Sequence, residues 1–488
     1  MTKQPNLTGF PTTIFATAKR RLQAVIGRTR RSSLSESLSG YALMFEQILP
    51  AAFMRLVDPT KRQRSFGHVP VFWGWLAQLI EDNSSCQRGL ALIQGWNHSQ
   101  GLPVPASDTS SYCQARGRID EQFLEAVAGR IDDHLAGRIA DAERWQGLTL
   151  KAIDGSSVQL LDTEENQRCY PQPSSQKPGC GFPVMGMVGV LNLSHGGWEG
   201  FATCEAKCHD VRVAQHLLAL VGEGDLLLGD RAFCSYELIA RVYERGGHVL
   251  MRLHQARHRK LDWRQGKKIS RFERLVTWSK PPTQPAASNL SAAEWAALPV
   301  QLTLRYIRMA TENRQGNKRM MIVVTTLTDA RRYDGLELFC LYARRWEIEL
   351  KLRDVKTTLN CESLAVQSPG MAHKTLWMMM IAYNLLRALM QQAASIADKP
   401  VRHMSFKAIL DLARSVHESF RPLADRPRLR AAHRCAIIEI CATKTIDERP
   451  FRSEPRAVKR RPKSYSYLTA PRHLYQEIPH RGKYRSCA

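Results

Sequence analysis

Apolar residues recur at three- and four-residue spacing in SGYALMFEQIL and EQFLEAVAGRIDDHLAGRIADA, which predicts helices from about Leu38 to Trp145. Between them, GLPVPASDTSSYCQAR is a Pro- and Ser-containing break followed by a helix start. From Leu148 the texture changes to short β runs, LTLKAID, MGMVGVLNL, WEGFATCEA and DLLLGD. Helical patterns follow the third run (VRVAQHLLALV) and the fourth (CSYELIARVYERGG). Strands first, then strand–helix alternation, predict an α/β core: a mixed sheet with helices on its faces. After HVLMRLH a Pro/Ala/Ser-rich stretch leads to two strands, PVQLTLRYIRM and RMMIVVTTL, joined by ENRQGNK as a hairpin. One long helix is expected from about Leu336 to Leu359. The next, HKTLWMMMIAYNLLRALM, is apolar nearly all round and should be buried against the sheet.

Charge changes the picture more than composition does. The chain of 488 residues carries +25 and a pI near 9.8, which points to a polyanionic partner. Residues 1–35 hold seven basic residues and no acid, and residues 449–488 hold eleven basic residues, two acids, five prolines and four tyrosines. The tail EPRAVKRRPKSYSY is expected to be flexible: either a solvated end or an arm tracking phosphates, with Tyr465 and Tyr467 free to stack on bases. A third basic cluster, Arg252 to Arg274, surrounds Trp263. The longest apolar stretch, Leu376 to Leu386, is too short to span a membrane, and no signal peptide is evident, so a cytoplasmic protein is expected. Twelve cysteines at irregular spacing read as reduced thiols.

The most specific chemistry lies in LYARRWEIELKLRDVKTTL. On a regular helix Tyr342, Arg345, Glu349 and Lys356 share a stripe roughly 60° wide, while Lys351 lies about 180° away. The alternative is an ordinary solvated face with i,i+4 ion pairs. Two further carboxylates weigh against it: Asp154 closes the run LTLKAID and Asp230 closes DLLLGD. A strand-end Asp often makes only an Asx turn, yet two of them with a helical Glu supply oxygen ligands for hard divalent cations.

These residues resemble a family. DGS at Asp154, GDRAF at Asp230 and the Tyr-x2-Arg-x3-Glu-x6-Lys pattern from Tyr342 are similar to the DDE transposases of bacterial insertion sequences, in the insertion sequence 4 branch, over about residues 100 to 400. The resemblance implies a ribonuclease-H-like fold, with Asp154 on the first strand, Asp230 after the fourth and Glu349 on a later helix. It implies two Mg²⁺ ions (Mn²⁺ substituting) held by Asp154, Asp230 and Glu349, with Tyr342, Arg345 and Lys356 on DNA phosphates. The partners implied are double-stranded DNA with terminal inverted repeats and target DNA, with a dimer in the synaptic complex. Relatives hold a flipped base with an insertion-domain Trp; Trp263, Trp278 and Trp295 are open candidates here. A nuclease without strand transfer and a catalytically decayed DNA-binding regulator remain alternatives.

The boundaries so placed are a basic arm (1–36), a helical DNA-binding domain (37–146), a catalytic core (147–250 and 331–400) split by a β-rich insertion (251–330), a C-terminal helical region (401–446) and a basic tail (447–488). Weaker signals read as structural: His195 in a hairpin turn, and Cys169, Cys180, Cys204 and Cys208 with His209 as buried thiols rather than a zinc site. Arg116 and Arg118 either contact terminal-repeat DNA or are merely solvated.

Overall fold

The computed structural model describes residues 40–59, 66–81, 85–100, 102–205, 210–286, 288–312, 318–359, 363–446 and 468–475. The basic arm and most of the basic tail lie outside these residues. The chain divides into two compact units, 1–131 with 408–443 and 132–407 with 444–488.

The first unit is helical. Its main helices are His68–Ile80, Cys86–Gln100, Ser110–Arg118 and the start of Glu121–Ala136, with Pro427–Ala442 from the far end of the chain. Tyr41, Phe45, Phe72, Trp75, Tyr112, Phe123 and Phe420 are fully buried in it. The C-terminal segment, read from sequence as a region of its own, is bound in by long-range polar contacts. Arg434 donates to the carbonyls of Leu43 (2.8 Å) and Met44 (3.1 Å), which a helix ending at Met44 leaves without intrahelical partners. Arg434 and Arg430 both pair with Glu46, at 2.7 and 2.8 Å. Gly40 is required at this junction, because a Cβ there would lie 1.8 Å from the His417 carbonyl oxygen. Arg116 is not a free surface cation: its guanidinium packs on the rings of Trp75 (5.2 Å) and Tyr112 (5.3 Å). Arg118 is exposed.

The second unit is α/β. Its strands are β1 (Thr149–Leu160), β2 (Val184–Asn192), β3 (Trp198–Glu205), β4 (Asp225–Gly229), β5 (His248–Arg252), β6 (Lys267–Lys268), β7 (Glu273–Ser279), β8 (Gln301–Glu312), β9 (Lys318–Thr325) and β10 (Ser363–Leu364). They form one sheet in the order β3-β2-β1-β4-β5-β9-β8-β7-β6, with β10 beside β1. β1, β2 and β3 are an antiparallel meander, whereas β4 and β5 run parallel to β1. This is a ribonuclease-H-like core, with Asp154 on the first strand and Asp230 just after the fourth. The insertion does not stand apart from it. β9 pairs antiparallel with β5 through Leu250–Thr325, so the insertion's strands extend the catalytic sheet.

Alternation along the strands makes both faces apolar. Ile153, Val188, Leu227, Val249 and Met251 pack with Leu238, Ile239 and Val242 of the helix Tyr236–Glu244 on one side. Helices Gly335–Tyr342, Trp346–Arg353 and Pro369–Ala397 pack against β5, β1 and β3. The last buries Leu376 through Met390 almost continuously, as its all-round apolar sequence requires. Among the described residues no helix is long and apolar enough to cross a membrane. Arg305, 1% exposed on β8, is matched by Glu273 and by the Tyr333 carbonyl oxygen (2.7 Å).

Candidate active site

The strand register assembles the site. Ile153 on β1 lies opposite Gly229 on β4, and Gly229 lies opposite Met251 on β5. The next residues are Asp154, Asp230 and Arg252. In-register neighbours on parallel strands project from the same face, which sets two carboxylates side by side. Asp154 is not at a strand end, as the sequence pattern suggested. β1 continues with β2 to Gln159, while on its other edge β4 stops at Ile153 and β10 begins only at Gln159. The resulting notch leaves Asp154 where that edge of β1 has no strand partner.

Backbone donors hold both side chains. Asp154 Oδ1 accepts from the Gly155 N–H (2.9 Å), and Asp230 Oδ1 accepts from the Ala232 N–H (2.7 Å), an Asx turn. One oxygen of each is thereby fixed, and the other is left for charged partners. Gly155 is needed for a further reason. A Cβ on it would lie 2.6 Å from Asp210 Oδ2, which packs on the face of β1 opposite the Asp154 side chain. Asp210 begins a short helix, Asp210–Ala214, and no local pattern marked it.

Glu349 reaches the pair from the segment expected to be one long helix. That segment is broken: helix Gly335–Tyr342, a 3₁₀ turn Ala343–Arg345, helix Trp346–Arg353, then a π-helical turn Asp354–Thr358. A 3₁₀ turn advances faster and a π turn slower than 100° per residue, so positions on one ideal stripe do not stay in phase. The first three keep together. Arg345 donates to Asp154 Oδ2 (3.4 Å) and to Glu349 Oε1 (2.8 Å), while Tyr342, buried, feels the charges of Arg345 and Asp230. Lys356, on the π turn, lines a small apolar cavity with Leu352, Val355, Phe201 and Met379. Lys351 does face away, but into the interior, 3.8 Å from Asp354, and burial pushes its ammonium down to about 8.

Burial pushes the Asp154 carboxyl up to about 6; Arg345 opposes this, and the negative charges of Asp230 and Glu349 add to it. The hydroxyl of Tyr342 is raised to about 12, mainly by burial. The folded Asp154 therefore binds its proton more tightly than the unfolded chain does, near 3.8. The stability this contributes is present below pH 3.8 and lost as pH rises to about 6. Asp154→Asn should thus melt above wild type at pH 7.5, by about 1–3 kcal/mol, with the gap closing near pH 4. Thermal melts of the metal-free protein across that range check it; a gap independent of pH would refute the assignment.

A second polar group is distinct from these carboxylates. Among the described residues, the group of three whose ligand atoms lie within 4.8 Å of one another is Asp132, His195 and Glu199. His195 occupies the β2–β3 turn, fully buried, and burial with the charges of Arg387 and Lys151 pushes it down to about 3. Its Nδ1 accepts from the Gly197 N–H (3.0 Å), which puts the neutral ring's proton on Nε2, towards Asp132 Oδ1 at 3.7 Å. That tautomer offers no lone pair to a metal. Glu199 is already matched by Lys151 at 2.8 Å, and Lys151 also holds Asp225 at 3.0 Å. The group reads as a structural ion cluster, consistent with a structural His195.

The remaining candidates separate cleanly. Cys169 is exposed and Cys180 and Cys204 half-buried, so these thiols are not core residues; Cys208 and His209 lie outside the described residues. Trp278 and Trp295 are 4% and 8% exposed. Trp278 donates to Tyr306 Oη (2.6 Å) under the Arg257 guanidinium (3.7 Å), and Trp263 carries Arg308 at 4.2 Å. No Trp of the insertion presents two bare faces.

The chain is similar to known proteins. A family described as a transposase DDE domain matches residues 145–385. The transposase InsG of insertion sequence element IS4 from Escherichia coli (strain K12) is 28% identical over 374 residues, covering 74% of this chain and 78% of that protein. The putative transposase InsZ of the same organism is 25% identical over 138 residues, covering 28% of this chain and 46% of its own. A solved structure of the piggyBac transposase synaptic complex with hairpin DNA matches with a TM-score of 0.43 and 11% identity, covering 86% of this chain and 88% of that one.

Proposed function

We propose that the chain is a DDE transposase of the insertion sequence 4 family, an enzyme of DNA transposition, with Asp154, Asp230 and Glu349 as its catalytic carboxylates. The observation that carries this reading is that Asp154 and Asp230 each follow one residue of the last β1–β4 pair, Ile153 and Gly229, and that Arg345 ties Asp154 to Glu349. Three carboxylates are hard oxygen donors and suit Mg²⁺, with Mn²⁺ as a substitute. Bound there, two such ions supply Lewis-acid activation of water or a 3′-OH and stabilise the departing oxygen.

The chain's own residues do the positioning. The Asx turn at Asp230 and the Gly155 N–H hold one oxygen of each Asp, and the second oxygen of each would be the one to hold a cation. Arg345, which bridges Asp154 and Glu349, would offer its fork to a DNA phosphate if cations took over those carboxylates. Tyr342, kept protonated at neutral pH, orients a phosphate oxygen by donating its O–H. Lys356 is assigned to a phosphate farther along the strand. The substrate is double-stranded DNA with terminal inverted repeats, joined to target DNA by a dimer, in the bacterial cytoplasm.

The test is direct. The purified chain, mixed with DNA carrying the repeats that flank its gene and with Mg²⁺, should release 3′-OH ends and join them to plasmid DNA. Cleavage without joining would leave a nuclease, and neither reaction with Mg²⁺ or Mn²⁺ would sink the reading.

A further inference from the structure

We infer that Arg252 and Arg231 form a phosphodiester-binding site beside Asp230. The inference rests on the assignment of the carboxylates above and adds residues outside the helical signature. Arg252 closes β5, one step past Met251, which lies opposite Gly229, the residue before Asp230. Its charge is felt by the Tyr342 hydroxyl, as that of Asp230 is. Arg231 follows Asp230 in the same turn.

Both side chains are exposed and line a groove of about 370 Å³ with Gln255, His258, Met320 and Met321. No acidic residue lines it. Elsewhere in this unit the cations near carboxylates are engaged: Arg345 by Asp154 and Glu349, Lys151 by Glu199 and Asp225. Arg231 and Arg252 are joined to no carboxylate among the described residues. Two adjacent unmatched guanidiniums repel each other, and an anion between them removes that repulsion. Arg offers a planar donor fork to phosphate oxygens. The ligand is thus a backbone phosphate of a DNA strand passing Asp230. Two strands have that chemistry, the end strand being cut and the target strand being joined.

The experiment uses the full chain with Arg252→Gln, Arg231→Gln and Arg252→Lys, on uncut end DNA and, separately, on pre-cut 3′ ends with plasmid target. Arg252→Gln should flatten the slope of log affinity against log salt by about 0.9, the loss of one phosphate contact, on the DNA it holds. A single-turnover rate lower by about tenfold or more in the cutting arm identifies the end strand; the same loss confined to the joining arm identifies the target strand. Arg252→Lys should regain the slope but less of the rate. Slopes and rates within about twofold of wild type, with unchanged melting, would overturn the inference. So would rates restored by more Mg²⁺ at an unchanged slope, because Arg252 would then only balance Asp230. A wild-type chain inactive in both arms fails the catalytic assignment instead, and the binding slopes still judge this one.

Discussion

Asp154→Asn, Asp230→Asn and Glu349→Gln should each lower the rate of DNA-end cleavage by about 10³-fold or more while leaving affinity for uncut ends within about threefold. Each change removes one anionic oxygen at nearly constant size and leaves the chain's large basic excess, on which affinity for phosphates depends, in place. Asp154 and Asp230 each follow one residue of the pair Ile153–Gly229, so neither should be dispensable. For Asp154→Asn, a melting temperature at or above wild type at pH 7.5 would separate lost chemistry from misfolding. Single-turnover cleavage of labelled end DNA, with binding measured in parallel, checks all three. A variant cutting at near wild-type rate would remove that residue from the triad.

Both strand carboxylates were legible because each closes an apolar run, and a parallel register turns two such closures into neighbours. The notch at Asp154 was not legible, because it depends on where β4 stops, at Gly229, and where β10 begins, at Ser363, both far along the chain from β1. Arg345 and Glu349 were legible as an i,i+4 pair. Lys356 was placed by assuming one regular helix, and the 3₁₀ and π turns, with no Pro or Gly to announce them, undo that phase. Lys351 shows a second limit: periodicity said which way it points but not that Asp354 and the interior receive it. The joining of 408–443 to the N-terminal helices likewise rests on Arg430 and Arg434 meeting Glu46, nearly four hundred residues away. Local patterns carry no such pairing.

Arg345 is where the metal-free structure and the reaction make different demands on one side chain. Without cations its guanidinium is the counter-charge shared by Asp154, at 3.4 Å, and Glu349, at 2.8 Å. With the carboxylates neutralised by metal, the same fork is freed for a phosphate whose charge grows in the transition state. Arg345→Ala should therefore reduce cleavage by about 10²-fold with little loss of affinity for uncut ends. Arg345→Lys should still lose about tenfold, because one ammonium cannot span two oxygens that a planar fork reaches together. Lys351 is unsuitable as a control, being buried beside Asp354. Arg353 suits better: it is exposed on the same helix, one turn beyond Glu349. Arg353→Ala should stay within about twofold of wild type in rate and affinity. Equal losses for Arg345→Ala and Arg353→Ala would mean that the charge of the helix as a whole, rather than the fork held between Asp154 and Glu349, supports the reaction.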